Sequence, residues 1–217
     1  MVREVISILL PHFVDPENNN AFKVCMECLV DNTSLEYELL INTQAGDVYN
    51  ICNKLARQAS SPWLVFLNTD VFLAPGWDTA FLNAATENKI VTGVIVECGA
   101  IPVAAANVEK NFGLHPWNFD RESFEEWIAE KQPLPAGDGW YFPSMIYREA
   151  FLDLGGFDTD RGYFPEDPLD TYFWDTWKAA GNGISHVRSY SYHLQHYSSH
   201  TEQRKKARGV MWSSRQQ

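Results

Sequence analysis

The first 98 residues alternate short apolar runs with segments of helical periodicity, and that alternation leaves few folds open. Val5 to Leu10 reads as a buried strand closed by Pro11. Asp15 to Asn20 reads as a loop, and Ala21 to Val30 as a helix with Phe22, Cys25 and Leu29 on one face. Tyr37 to Ile41 is a short strand. Val48 to Gln58 is a helix with Val48, Ile51, Cys52 and Leu55 at helical spacing. Trp63 to Leu67 is the next strand, Pro75 opens a helix reaching about Glu87, and Ile90 to Val96 is a β-branched strand. Strands alternating with helices predict an α/β domain whose mostly parallel sheet is covered on both faces.

The second half is less regular. Gly99 to Asn118 reads as a long loop or a short hairpin. Asp120 caps a helix carrying Phe124, Trp127 and Ile128 on one face. Pro133 to Gly139 is a turn-rich connector, and Trp140 to Tyr147 is a strand. Arg148 to Leu154 is a short helix stopped by Gly155-Gly156. No internal repeat and no interdomain linker is visible, so residues 1–201 read as one domain, followed by a basic tail over 202–217.

A chain of 217 residues with 45% apolar and 14% aromatic residues has ample material for a core. Its net charge of -11 argues against broad binding to nucleic acid or anionic membranes, while leaving room for a local basic site. No apolar run has the length of a membrane span, and the start of the chain lacks a signal-peptide layout, so the expected location is cytoplasmic. Cys25 and Cys28 form a C-x-x-C, but Cys52 and Cys98 are isolated. A zinc site usually needs a second pair, and small buried side chains are the simpler reading.

Three stretches carry chemistry. The strand Trp63 to Leu67 runs into Asn68-Thr69-Asp70, with Pro75-Gly76-Trp77 close behind. A carboxylate at the carboxyl end of a buried strand lies at the edge where open α/β sheets bind ligands, and hard oxygen donors suit Mg²⁺ or Mn²⁺. The same residues also fit a plain Asp-containing turn. Further on, Gly155-Gly-Phe-Asp158 precedes Glu166-Asp167-Pro168, and Asp170 completes an acidic cluster at a helix start. Asp167 fits an N-cap, with Leu169, Tyr172, Phe173 and Thr176 as the inner stripe and Gly181 as the stop. A carboxylate there also suits a general base, and the two roles can coexist. Last, His193, His196 and His200 place three of the six histidines within eight residues, ahead of the basic run Arg204 to Arg208. Metal or phosphate contacts and a solvated tail are both open readings of this end.

These pieces, in this order, resemble the family 2 glycosyltransferases with the GT-A fold. A first strand ends at a proline, as in Ser7-Ile-Leu-Leu-Pro11. Asn68-Thr69-Asp70 before Pro75-Gly76-Trp77 is similar to the N-x-D variant of the family's D-x-D motif. Gly155 to Asp158, the pair Glu166-Asp167 and the segment His196 to Thr201 follow in the family's order, so the resemblance spans Val5 to Thr201.

The resemblance implies an inverting transferase that moves a sugar from a nucleoside-diphosphate sugar to an acceptor hydroxyl. Residues 1–98 would be the nucleotide-sugar half and 99–201 the acceptor half. Asp70 would hold the divalent cation, Mn²⁺ or Mg²⁺, with Asn68 on the ribose or near the metal. His196 would complete the metal or diphosphate contacts, with His193 as the fallback. Asp167 would be the base and Glu166 would orient the acceptor or the base. Pro11, His12 and Phe13 would line the nucleobase pocket, Asn42 and Asn53 would lie near the nucleoside, and Arg204 would close over the diphosphate. The sequence also departs from the pattern. Where the second strand usually ends in an acid, it reads Leu40-Ile41-Asn42, with Asp47 further on, and the first acid of the D-x-D motif is Asn68.

Two other classes of function are consistent with parts of this pattern. A sugar-phosphate nucleotidyltransferase would carry a Gly-rich basic loop after the first strand, where this chain has Pro11-His-Phe-Val-Asp-Pro-Glu. A non-catalytic glycan- or nucleotide-binding module would show no hydrolysis of a nucleotide-sugar. The acceptor is expected to be a glycan or small molecule, with nucleic acid disfavoured by charge. Trp117, Trp127, Trp140 and Tyr141 are either stacking surfaces for it or core.

Overall fold

A computed structural model of the chain describes residues 5–44, 46–100, 107–130, 142–161 and 169–195. Its strands are β1 (Val5–Pro11), β2 (Glu36–Asn42), β3 (Trp63–Phe66), β4 (Val71–Leu73), β5 (Lys89–Glu97), β6 (Val108–Glu109), β7 (Ser144–Tyr147) and β8 (Gly183–His193). The helices are α1 (Pro16–Asn32), α2 (Val48–Gln58), α3 (Trp77–Ala84), α4 (Arg121–Ala129), α5 (Arg148–Asp153) and α6 (Leu169–Ala179). All eight strands belong to one sheet, ordered β2-β1-β3-β7-β5-β8-β4, with β6 beside the end of β5.

The two faces of this sheet can be read directly from alternate residues. Ile6, Ile8, Leu10, Val65, Leu67, Val91 and Met145 pack in one cluster with Ala21, Cys25, Cys28 and Leu29 of α1, Trp77 and Phe81 of α3, and Phe124 of α4. Leu9, Leu64, Phe66, Ile90 and Ile146 pack in the other with Ile51, Cys52 and Leu55 of α2, Phe151 of α5, and Phe173 and Trp177 of α6. Neighbouring strand residues point to opposite faces, so strands apolar at every position need helices on both sides. The α/β architecture and its two helical layers match the expectation.

The expected mostly parallel sheet does not hold: the sheet is mixed. β1 pairs in parallel with β2 and β3, and β5 with β6 and β8, but β7 runs antiparallel between β3 and β5, and β4 runs antiparallel to β8. Hydrophobic periodicity carries no strand direction, which is why β7 could not be oriented from sequence. Smaller corrections have local causes. The Asp15 to Asn20 loop is the first turn of α1: Asp15 Oδ1 accepts from the Asn18 backbone N–H at 2.9 Å, and Pro16 occupies the first helical position. α3 begins at Trp77 after Gly76, at φ 76°, and ends at Ala84, short of Glu87. The inner stripe of α6 is Leu169, Phe173 and Trp177; Tyr172 is exposed.

The strands β1, β2, β3, β5, β6 and β8 all end at one edge of the sheet, where β4 begins. Two of these ends are brought into register by a bulge. β8 pairs with β5 at Thr92↔His186, but beyond the irregularity at Gly93 the pairing resumes at Val94↔Tyr190. The two extra residues on β8 slide it along β5, so Glu97 faces His193 instead of Ser191. Gly93 makes the close approach possible: a Cβ there would lie 2.5 Å from the Ser189 carbonyl oxygen.

Candidate functional site at the carboxyl edge of the sheet

Asp70 is delivered by a tight turn. The Asn68 carbonyl accepts from the Val71 N–H at 3.2 Å and from Cys25 Sγ at 3.7 Å. β4 then pairs with β8, setting Val71 opposite His193, while the Leu194 N–H donates to the Asp70 carbonyl at 3.0 Å. On the other flank of β8, Glu97 is the register partner of His193, and the Cys98 N–H donates to the His193 carbonyl at 3.2 Å. His193 is thus flanked by Glu97 at the end of β5 and by Asp70, the residue just before β4.

The side chains meet accordingly. His193 Nδ1 lies 2.8 Å from Glu97 Oε2, and His193 Nε2 lies 3.8 Å from Asp70 Oδ2. The other Glu97 oxygen, Oε1, accepts from Asn107 Nδ2 at 2.9 Å. The Asp70 and Glu97 side chains are only 3% and 9% exposed, whereas His193 keeps 20% of its surface open. Burial pushes the His193 pKa down, but the Glu97 charge and hydrogen bond, helped by the Asp70 charge, outweigh it and raise it to about 9. Beside it, the Tyr192 hydroxyl donates to the Gly113 carbonyl at 2.6 Å and accepts from the Phe112 N–H at 2.9 Å, tying residues 112–113 to β8.

The other expected site residues fall into distinct places. Pro11 and Asn42 are register partners at the ends of β1 and β2, and the His12 N–H donates to the Asn42 carbonyl at 2.9 Å. The Asn42 side chain accepts from the Gln44 N–H at 2.9 Å, closing a local turn. His12 is turned inward: its ring stacks on Phe22 at 4.2 Å and its Nε2 lies 3.1 Å from Asn19 Oδ1. Burial lowers the His12 pKa against the opposing effects of Asn19 and Asp15. Phe13 is 40% exposed.

Asn53 has a structural assignment. Its side-chain amide donates to the Phe157 carbonyl at 2.7 Å and accepts from the Phe157 N–H at 2.9 Å. This clamps α2 to the Gly155-Gly156 turn, where Gly156 has φ 71° and a Cβ would lie 2.5 Å from Asn53 Oδ1. Next to that turn a cleft of about 300 Å³ is bordered by Asn53, Arg57, Asp158, Asp160, Tyr172 and Thr176. The four cysteines are free and buried, and burial pushes the Cys28 and Cys98 thiols up to about 12, as inert core side chains require.

Glu166, Asp167, His196 and Arg204 lie outside the described residues, as do Trp140, Tyr141 and the basic run. Trp117 is exposed, and Trp127 packs against the core. Glu97 and Asn107 were missed by sequence reasoning. Glu97 carried the same signal as Asp70, an acidic residue at the carboxyl end of a β-branched strand; Asn107 had no comparable signal.

Among the described residues, no group of three or more His, Cys, Asp or Glu side chains is disposed to hold a metal ion. The donor chemistry of Asp70 and His193 nevertheless suits a small divalent cation. The Asp70 oxygen and the His193 nitrogen lie 3.8 Å apart, wider than the ~3.0 Å between adjacent ligands of an octahedral ion, so a side-chain shift of under about 1 Å would let one ion take both. Such ions commonly take one or two protein ligands and complete their shell from phosphates and water.

Fold and site together define an α/β protein with a buried acid–histidine group at the carboxyl edge of a mixed sheet. No family model matches the chain, and no curated protein matches it. Among the described residues no helix is long and apolar enough to cross a membrane.

Proposed function

We propose that the chain is an inverting, divalent-cation-dependent glycosyltransferase of the GT-A type, acting on a nucleoside-diphosphate sugar and an acceptor hydroxyl. One observation carries this reading: Asp70, which ends the N-x-D segment, shares the carboxyl edge of the sheet with His193, 3.8 Å away. Asp70 would hold the cation with His193, the fallback ligand named from sequence; His196, the first choice, lies outside the described residues. When bound, Mn²⁺ or Mg²⁺ would neutralise charge developing on the leaving diphosphate.

The remaining steps belong to side chains. Asp167 would take the proton of the acceptor hydroxyl, and the oxygen would attack the anomeric carbon from the face opposite the diphosphate. Glu166 would orient the acceptor, and Phe13 would face the nucleobase. Arg204 would contact the diphosphate.

Sugar release from a panel of nucleoside-diphosphate sugars, with and without Mn²⁺ and acceptor, tests the proposal. Asp167→Asn should lower transfer by about 10²–10⁴-fold while donor binding persists. Near-normal transfer by that variant would remove Asp167 as the base. Donor binding with neither hydrolysis nor transfer by the wild type would identify a binding module instead.

A further inference from the structure

We propose that Glu97 is a positioning residue: it fixes the His193 ring with Nδ1–H donated to its carboxylate and Nε2 aimed at Asp70. This inference rests on the cation reading above and deepens it. Three observations support it. Glu97 is the cross-strand partner of His193, so the contact is imposed by the sheet and not by a flexible loop. Its carboxylate is itself held, with Oε1 on Asn107 Nδ2 at 2.9 Å and Oε2 on His193 Nδ1 at 2.8 Å. It is almost fully buried, so water does not compete strongly for either oxygen.

An ionised carboxylate only accepts hydrogen bonds, so the proton in the Glu97–His193 contact belongs to Nδ1. With a divalent cation bound on the Asp70 side, Nε2 would give up its proton and offer its lone pair to the ion, while Nδ1–H stays on Glu97. Metal-binding histidines are generally oriented this way by an outer carboxylate, which selects the tautomer and raises the basicity of the ligating nitrogen. Glu97 therefore acts through His193, and Asn107 acts through Glu97.

The test uses the full chain and reads Mn²⁺ binding by loss of the aquo-ion electron paramagnetic resonance signal, with Mn²⁺ alone and with Mn²⁺ plus inorganic pyrophosphate. Glu97→Gln should weaken Mn²⁺ binding by about 10–100-fold, and Glu97→Asp should recover part of the loss. Wild-type affinity in Glu97→Gln would overturn the positioning role while leaving the cation site in place. If the wild type takes up no Mn²⁺ under either condition, both this inference and the transferase reading fail. A second measurement needs no Glu97 variant. In ¹⁵N-histidine protein loaded with diamagnetic Zn²⁺, the His193 ring, assigned by its loss in His193→Gln, should carry its proton on Nδ1. A proton on Nε2 would overturn the proposal.

Discussion

Glu38 shows at the residue scale how one half-buried carboxylate on the edge strand β2 joins separate parts of the chain. It accepts hydrogen bonds from Ser7 Oγ on β1 and from the Ser60 and Ser61 backbone N–H groups ahead of β3. Burial alone would raise its pKa, but the bonds from Ser7, Ser60 and Ser61 outweigh that and lower it below the ordinary 4.5. A depressed carboxylate contributes stability that is present above its unfolded pKa and lost as pH falls through its folded value. Below about pH 4.5, Tm should therefore drop less steeply in Glu38→Gln than in the wild type. Parallel Tm–pH curves through that range would show that Glu38 contributes nothing to acid stability. Asp70 was legible in the sequence because an apolar strand runs straight into it. The roles of Glu38, Glu97 and Asn53 were not, because each depends on a partner at least 22 positions away.

Between elements, the decisive feature is the bulge at Gly93. It shifts β8 by two residues against β5 and so sets Glu97 beside His193. A methyl group at Gly93 would meet the Ser189 backbone, which cannot move as a flexible side chain would. Gly93→Ala should cost about 1–3 kcal/mol of stability in chemical denaturation. It should also weaken Mn²⁺ binding, because the pairing that orients His193 is disturbed. Unchanged stability and unchanged Mn²⁺ affinity would show that the bulge does not control the site. Strands and helices were largely visible as periods of two and of about 3.6 residues. Strand direction, the bulge and the phase of α6 were not. They are set by packing between distant segments: β7 inserts between β3 and β5, and Trp177 rather than Thr176 fills the space beneath α6.

Across the whole molecule, one mixed sheet gathers the ends of six co-directional strands at a single edge. That edge carries Pro11, Asn42, Asn68 and His193 from separate parts of the chain, with Asp70 just ahead of β4. A net charge of -11 makes an anionic ligand there unfavourable unless a cation or a local basic segment accompanies it, and the transferase reading supplies both. The most direct test is thermal denaturation of the full chain against a panel of nucleoside-diphosphate sugars, each with Mn²⁺ and with a chelator. A donor present at about 100 times its Kd should raise Tm by roughly 5–10 °C with Mn²⁺ and far less with chelator. Equal stabilisation with and without Mn²⁺, or none from any nucleotide-sugar, would contradict the account.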